Sequence, residues 1–171
     1  MTVKLAPLGN DAPFIQAAID ALPALSTNTG GTVYLPRGIY RITSPLVIRT
    51  GVRLVGEGQR ATRISSAAGA GVITWTASIN NVLIENMYLS GSSGHIFAPS
   101  GGNADWGIVT TTVRNCWIVQ SDTTKSIMHH VSALDYDNVQ FLECDLQRAS
   151  GSTVPGFNII NSGGAANENR W

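Results

Sequence analysis

Ile84-Glu85-Asn86-Met87-Tyr88-Leu89, Val113-Arg114-Asn115-Cys116-Trp117-Ile118 and Phe141-Leu142-Glu143-Cys144-Asp145-Leu146 are one phrase written three times. Each places an apolar residue, a gap of two, a second apolar residue, a gap of one and a third. The phrase recurs after 29 residues, from Ile84 to Val113, and after 28, from Val113 to Phe141. A near-fixed period in this range marks a solenoid, in which each repeat buries its face on the next. The step of three inside each phrase marks a corner at Asn86, Asn115 and Glu143. Asparagine tolerates left-handed backbone angles, and its amide can bond its neighbour along a stack. The glutamate of the third repeat is expected to end such a ladder.

Faces follow from the alternation of strands. Val82, Ile84, Met87 and Leu89 are expected to point inward. So are Val113, Cys116 and Ile118 in the next coil, and Val139, Phe141, Cys144 and Leu146 in the third. Cys116 and Cys144 share a repeat position and are read as free thiols stacked in the core. Glu85 is expected beneath Arg114 on the outer face, as an exposed ion pair of about 0–1 kcal/mol.

Upstream of the repeats the period is also two. Val33 and Leu35, Tyr40 and Ile42, Leu46 and Ile48, and Val52 and Leu54 form short strands punctuated by Pro36-Arg37-Gly38, Thr50-Gly51 and Gly56-Glu57-Gly58. The strands are spaced too closely for βαβ units. Gly56-x-Gly58 is no dinucleotide motif, because no helix follows it. One helix is expected, over residues 11–25, with Phe14, Ile15, Ala18, Ile19 and Leu22 at helical spacing. Asn10 or Asp11 can cap it, Pro13 suits its first turn and Pro23 ends it. Such a helix covers the apolar end and the unpaired edges of a first coil. The chain therefore divides into an N-terminal segment with the capping helix, 1–30, and solenoid coils, 31–171. No matching cap is evident at the other end, so a second subunit, or further coils of a longer solenoid, are expected there.

The 171 residues suit one domain, and charged residues make up only 13% with no formal net charge. A nucleic-acid partner calls for a basic excess and is not expected. No apolar run reaches the roughly 20 residues of a membrane span. The opening MTVKLAPLGNDAP has no signal-peptide core, which fits a signal already removed or export by another route, for instance in a virion.

Residues 10–22, NDAPFIQAAIDAL, are similar to the opening helix of pectate-lyase-superfamily proteins. Residues 30–42, GGTVYLPRGIYRI, resemble that family's first coil. Residues 44–48 and 51–58, SPLVI and GVRLVGEG, resemble its continuation. The likeness is specific over about 10–64 and looser to about 148. It implies a right-handed parallel β-helix, all-β apart from the N-terminal helix. The family includes pectate lyases, rhamnogalacturonases, sugar epimerases and phage depolymerase spikes, and this opening looks most like the tailspike branch. There the resemblance implies a homotrimer, in a phage tail or otherwise extracellular, that acts on bacterial surface polysaccharide. The matched motifs are structural and carry no catalytic residue over.

Candidate chemistry is read from the residues. Glycoside hydrolysis needs two carboxylates. Asp135, Asp137 and Asp145, with Glu143, cluster in one coil, and Asp122 closes the coil before. The same acids can ligate calcium, but no D-x-D-x-D-G loop is present, so neither a metal nor a cofactor is expected. A base for the C5 proton of a uronate can be His129, His130 or Lys125. The two histidines face opposite sides of a strand and cannot serve one site directly. His95, in the glycine-rich run 91–94, is read as part of a surface excursion. Tyr88 and Trp117 share an outward position in successive coils, followed by Asp145. With Trp106 they are candidates for a glycan surface or a subunit interface, packing under loops being the remaining reading. Thr110, Thr111 and Thr112 are read as strand filler. Three functions stay open: a tailspike-like protein that binds polysaccharide, with or without cleaving it; a free-standing polysaccharide lyase, hydrolase or epimerase; and a structural appendage module without catalysis.

Overall fold

A computed structural model describes residues 9–23, 30–67, 71–75, 79–99, 109–132 and 137–161, without the side chains of 99, 109, 130–132, 137 and 158–161. The chain is a parallel β-helix behind one short helix. Helix α1 spans Ala12–Asp20. The strands are β1 (Gly31–Leu35), β2 (Gly38–Ile42), β3 (Leu46–Val47), β4 (Val52–Gly56), β5 (Thr62–Ser66), β6 (Ile73–Trp75), β7 (Ile79–Gly91), β8 (Phe97–Pro99), β9 (Val109–Gln120), β10 (Met128–Ser132), β11 (Asp137–Leu142), β12 (Asp145–Arg148) and β13 (Phe157–Asn161). Every pairing between them is parallel.

The strands form an 8-stranded and a 5-stranded sheet. In the larger one, β1, β4, the first half of β7, the first half of β9 and β11 stack in order. Beyond the corner, β2, β5, the second half of β7, the second half of β9 and β12 do the same. Strands β7 and β9 run through the bend and join the halves. The smaller sheet stacks β3, β6, β8, β10 and β13, closing each pass of the chain.

The corners fall where the repeat places them. Asn86, Asn115 and Glu143 take φ of 59°, 48° and 55°. Asn115 Nδ2 donates to Asn86 Oδ1 at 2.7 Å, and Gln59, from the turn between β4 and β5 one pass before Asn86, donates to Asn115 Oδ1 at 3.0 Å. The ladder therefore runs Gln59, Asn115, Asn86. A Cβ at Gly56 would meet the Asn86 carbonyl oxygen at 2.4 Å and Thr62 Cβ at 2.8 Å, so only glycine lets the chain pass this corner.

The expected inward residues form the core. Val33, Leu35, Ile42, Leu46, Leu54, Ile84, Met87, Leu89, Val113, Cys116 and Ile118 are all fully buried. The smaller sheet adds the column Leu46, Ile73, Phe97, Met128 and Phe157. Phe141 links to it through edge-on contacts with Phe97 at 5.9 Å and Phe157 at 5.1 Å. Leu146 departs from expectation and is 38% exposed, while Phe141 and Cys144 are only partly buried. They lie in the last described pass, which has none of the described strands stacked over it.

Helix α1 buries Ile15, Ala18 and Ile19, but Phe14, expected on the same face, is 45% exposed. The helix also ends at Asp20 instead of near 25. Arg49 reaches from the first pass and donates to the carbonyls of Ile19, at 2.7 Å, Asp20 and Leu22, so its guanidinium takes over the carbonyls at the helix end. Asn10, one residue before the N-cap Asp11, accepts from Ala12 N–H at 3.2 Å. Asp11 makes no side-chain cap, because its carboxylate accepts from Arg41 N–H at 2.8 Å and ties the helix to β2. The Gln16 amide extends β3, donating to Val47 O at 3.1 Å and accepting from Val47 N–H at 2.8 Å. An edge that invites another strand is thereby closed by a side chain.

Candidate functional site

The loops joining the larger sheet to the smaller one, 92–96 and 121–127, stack on each other. Their brace is Gln120, which is fully buried. Its Nε2 donates to Gly94 O at 2.8 Å and Ser126 O at 3.2 Å, and its Oε1 accepts from Asp122 N–H at 3.0 Å. Between these loops and β10 sit His95, His129, Lys125 and Asp122.

The His95 and His129 rings are stacked, with centroids 4.5 Å apart and planes 16° from parallel. Met128 is buried inside, so strand alternation turns His129 to the outer face of the smaller sheet. His95 Nδ1 accepts from Ser126 N–H at 3.0 Å. That bond leaves the ring proton on Nε2 of the neutral imidazole. Burial first, then the neighbouring His129 and Lys125, lower the His95 pKa from 6.5. The Asp122 carboxylate accepts from both the N–H and the hydroxyl of Thr124 at 2.7 Å, and these bonds hold its pKa below the ordinary value. The cluster joins a held donor, a second imidazole, a cation and an ionised carboxylate.

His95 is therefore no surface excursion. The signal that places it is the short phrase of the smaller sheet, Gly71-Val72-Ile73-Thr74, His95-Ile96-Phe97-Ala98, Ser126-Ile127-Met128-His129. Asp122 and Lys125 lie within electrostatic reach of His95, whereas Asp145 stands elsewhere, beside Trp117 on the larger sheet. His130 follows His129 in β10 and Asp137 begins β11, but both side chains lie outside the described residues. Asp135 and Trp106 lie outside them altogether.

On the larger sheet, Ile39, Arg63, Tyr88, Trp117 and Asp145 form one outward column. Tyr88 and Trp117 meet edge to face at 5.1 Å. The Arg63 guanidinium lies 4.6 Å from the Tyr88 ring centre and that of Arg60 5.2 Å from the Trp117 ring. Both rings thus carry a cation and are half-buried. Glu85, expected in an exposed pair, is instead buried between two half-exposed arginines. It accepts from Arg114 Nε at 3.1 Å and lies 3.7 Å from Arg53.

Among the described residues no group of three or more His, Cys, Asp or Glu is placed to hold a metal, and no helix is long and apolar enough to cross a membrane.

A solenoid of parallel strands, with polar and aromatic side chains on its outer faces, defines a parallel β-helix. The rhamnogalacturonase A/epimerase, pectate-lyase-like family model matches residues 8–168, and the chain belongs to that family. It is 44% identical over 68 residues to mannuronan C5-epimerase AlgE3 of Azotobacter vinelandii, and 36% identical over 83 residues to AlgE1 of the same organism. Those stretches are 36% and 44% of this chain but only 4% and 5% of the epimerases. Among solved structures it is similar to the A-module of the Azotobacter vinelandii epimerase AlgE4, with TM-score 0.53 and 25% identity over 94% of this chain and 54% of that one. The ORF18 protein of Geobacillus virus E2 shares the fold, with TM-score 0.53 and 21% identity over 98% of this chain and 38% of that one.

Proposed function

We propose that this protein binds an acidic polysaccharide, a polyuronate, across the outer face of the smaller sheet, and that His129 exchanges the proton at the sugar C5. The observation that carries this reading is the His95–His129 stack with Lys125 and Asp122 in electrostatic reach. The C5 hydrogen of a uronate is acidified by the adjacent carboxylate. Removing it needs a base near neutrality and positive charge or donors on that carboxylate, where negative charge develops. His129 is suited to the first role. Lys125 and the Nε2–H of His95 are suited to the second. Returning the proton to the opposite face gives an epimer, and losing the 4-linked sugar gives an unsaturated end, so one first step serves either outcome. The relatives named as mannuronan C5-epimerases support that substrate class.

Hydrolysis is the weaker enzymatic reading. It needs two facing carboxylates, while Asp122 is engaged by Thr124 and Asp145 stands on the other sheet. Asp135, Asp137 and His130 keep their sequence-based candidacy. Tyr88 and Trp117, with Arg63 and Arg60 on their rings, supply a second contact, to glycan or to another subunit.

The test is incubation with polymannuronate, polyguluronate, pectate and capsular polysaccharides in D2O. Deuterium at C5 without cleavage marks an epimerase, and ultraviolet absorbance of unsaturated ends a lyase. New reducing ends with neither signal mark a hydrolase and remove His129 from the base role. Binding alone leaves a recognition module, and no binding leaves a structural one.

Two exposed leucines in the last described pass favour a second reading of how the chain is deployed. Leu142 is 43% exposed and Leu146 38%. Covering those leucines with neighbouring subunits suits an extracellular or phage-tail appendage, and the homotrimer expected of tailspikes is read by light scattering.

A further inference from the structure

Met87, Cys116 and Cys144 occupy the same inward position in successive passes. Met87 pairs with Cys116, and the pairing of Asp145 with Trp117 sets Cys144 beside Cys116. Neighbouring strands lie about 4.8 Å apart. A disulfide needs its Cα atoms roughly 4.4–6.8 Å apart, so the register alone satisfies that requirement. Both cysteines are free thiols, with Cys116 Sγ 3.3 Å from Arg114 O and Cys144 Sγ 3.4 Å from Val113 O, the carbonyl of the strand that carries Cys116.

The two differ in what covers them. Cys116 is fully buried beneath the last described pass, whereas Cys144 belongs to that pass and is only partly buried. The neighbouring Cys144 and burial push the Cys116 thiol far up, while Cys116 beside it brings Cys144 down to about 7. Thiolate forms first on the sulfur that a small reagent can reach.

We propose that Cys116 and Cys144 are an oxidisable pair that closes an intramolecular disulfide, with Cys144 the attacking and Cys116 the resolving thiol. The oxidant is a small-molecule disulfide, RSSR. Cys144 Sγ attacks one of its sulfurs, forming Cys144–S–SR and releasing RS⁻. Cys116 Sγ then gives up its proton, attacks Cys144 Sγ and displaces the second RS⁻. The protein loses two electrons and two thiol protons, and RSSR is reduced to two RSH. The bond ties β12 to β9 across one repeat. It clamps the pass whose Leu142 and Leu146 are exposed and whose outer edge meets none of the described strands. Oxidation thus sets how readily the last described pass frays.

The experiment treats the intact folded chain with oxidised glutathione, maps its peptides by mass and records Tm with and without reductant. The expected result is a peptide joining Cys116 to Cys144, lighter by two hydrogens, and a Tm several degrees higher when oxidised. Cys116→Ser is expected to stop at the glutathione adduct on Cys144, and Cys144→Ser to leave Cys116 unmodified while folded. A wild-type chain that stops at the adduct, that cross-links only between molecules, or whose oxidised form melts no higher overturns the proposal. The wild-type map needs no variant to fold.

Discussion

His95 and His129 lie face to face at 4.5 Å, and a backbone bond from Ser126 N–H to Nδ1 holds the His95 ring. Burial first, then His129 and Lys125, disfavour a second proton on His95, which would have to sit on Nδ1 and break that bond. The folded pKa is therefore below 6.5, the unperturbed value. Between the two values the unfolded chain binds more protons than the folded one, so stability rises with pH there. The contribution is complete above about pH 7 and is lost as pH falls through about 6.5 toward the depressed value. Thermal melts from neutral to mildly acidic pH are expected to show Tm falling in that window. In His95→Gln this part of the slope is expected to flatten; an unchanged slope would assign it to another group.

For the proposed chemistry, His129→Ala is expected to lower the C5 exchange rate by about 10²–10⁴-fold, the usual worth of a positioned base. Lys125→Met is expected to raise KM for the polyuronate as well as to lower kcat, because the cation meets the substrate carboxylate before and during reaction. His129→Ala with full exchange activity would sink the assignment. Retained melting behaviour in both variants separates lost chemistry from lost fold.

Gln120 makes three hydrogen bonds from a fully buried amide, two into one loop and one into the loop of the preceding pass. Gln120→Leu keeps the volume but leaves the Gly94 and Ser126 carbonyls and the Asp122 N–H to find other partners. The expected cost is about 2–4 kcal/mol in denaturant unfolding, two or more buried groups being unpaired. Faster amide exchange at Asp122 and Ser126 should accompany it. A loss under about 0.5 kcal/mol would mean that water replaces the amide at no cost.

How much of this was readable from the sequence depends on which sheet is considered. The larger sheet carries a long, periodic phrase whose corners at Asn86, Asn115 and Glu143 break the alternation at a fixed place, so register, faces and bend follow from spacing. The smaller sheet has strands of two to five residues separated by loops of uneven length. Its period slips, and His95 and His129 cannot be aligned by offset. Gln120, Gln16 and Arg49 are hidden for a different reason. Each works through backbone groups of a distant segment, and such a partner leaves no mark on local composition. Leu146 follows the inward pattern of its phrase yet is exposed, because burial depends on a neighbouring pass and not on the phrase itself.

Thr111 stands in an apolar column. It pairs with Val82 and Val139, both buried, and its own hydroxyl is buried with no hydrogen-bond partner. A valine of nearly the same shape removes an unpaired hydroxyl from a residue that lines a small apolar cavity with Trp75, Phe97, Val113 and Met128. Thr111→Val is expected to stabilise the protein by about 1 kcal/mol, the lower end of the cost of burying an unpaired hydroxyl. Chemical denaturation at constant m reads this directly. Destabilisation would mean that the hydroxyl has a partner such as a trapped water.

Arg49 joins the helix to the solenoid at the place where the helix stops. Its guanidinium holds the carbonyls of Ile19, Asp20 and Leu22, and the same residue precedes the turn at Thr50-Gly51 that begins the second pass. Methionine keeps much of the aliphatic stem and removes the donors. Arg49→Met is therefore expected to cost about 1–3 kcal/mol, as for hydrogen bonds from a charged group. The loss should be local at first, because α1 covers the first pass only, while the later passes rest on one another. Hydrogen exchange is expected to quicken at Ile19 to Leu22 and in β1 and β3, with β9 and β10 unchanged. Ile15 and Ile19 are fully buried beneath the helix, so its release would also expose apolar surface and raise aggregation on heating. Uniformly faster exchange through β9 would show instead that the solenoid unfolds as one unit and that the helix is part of it.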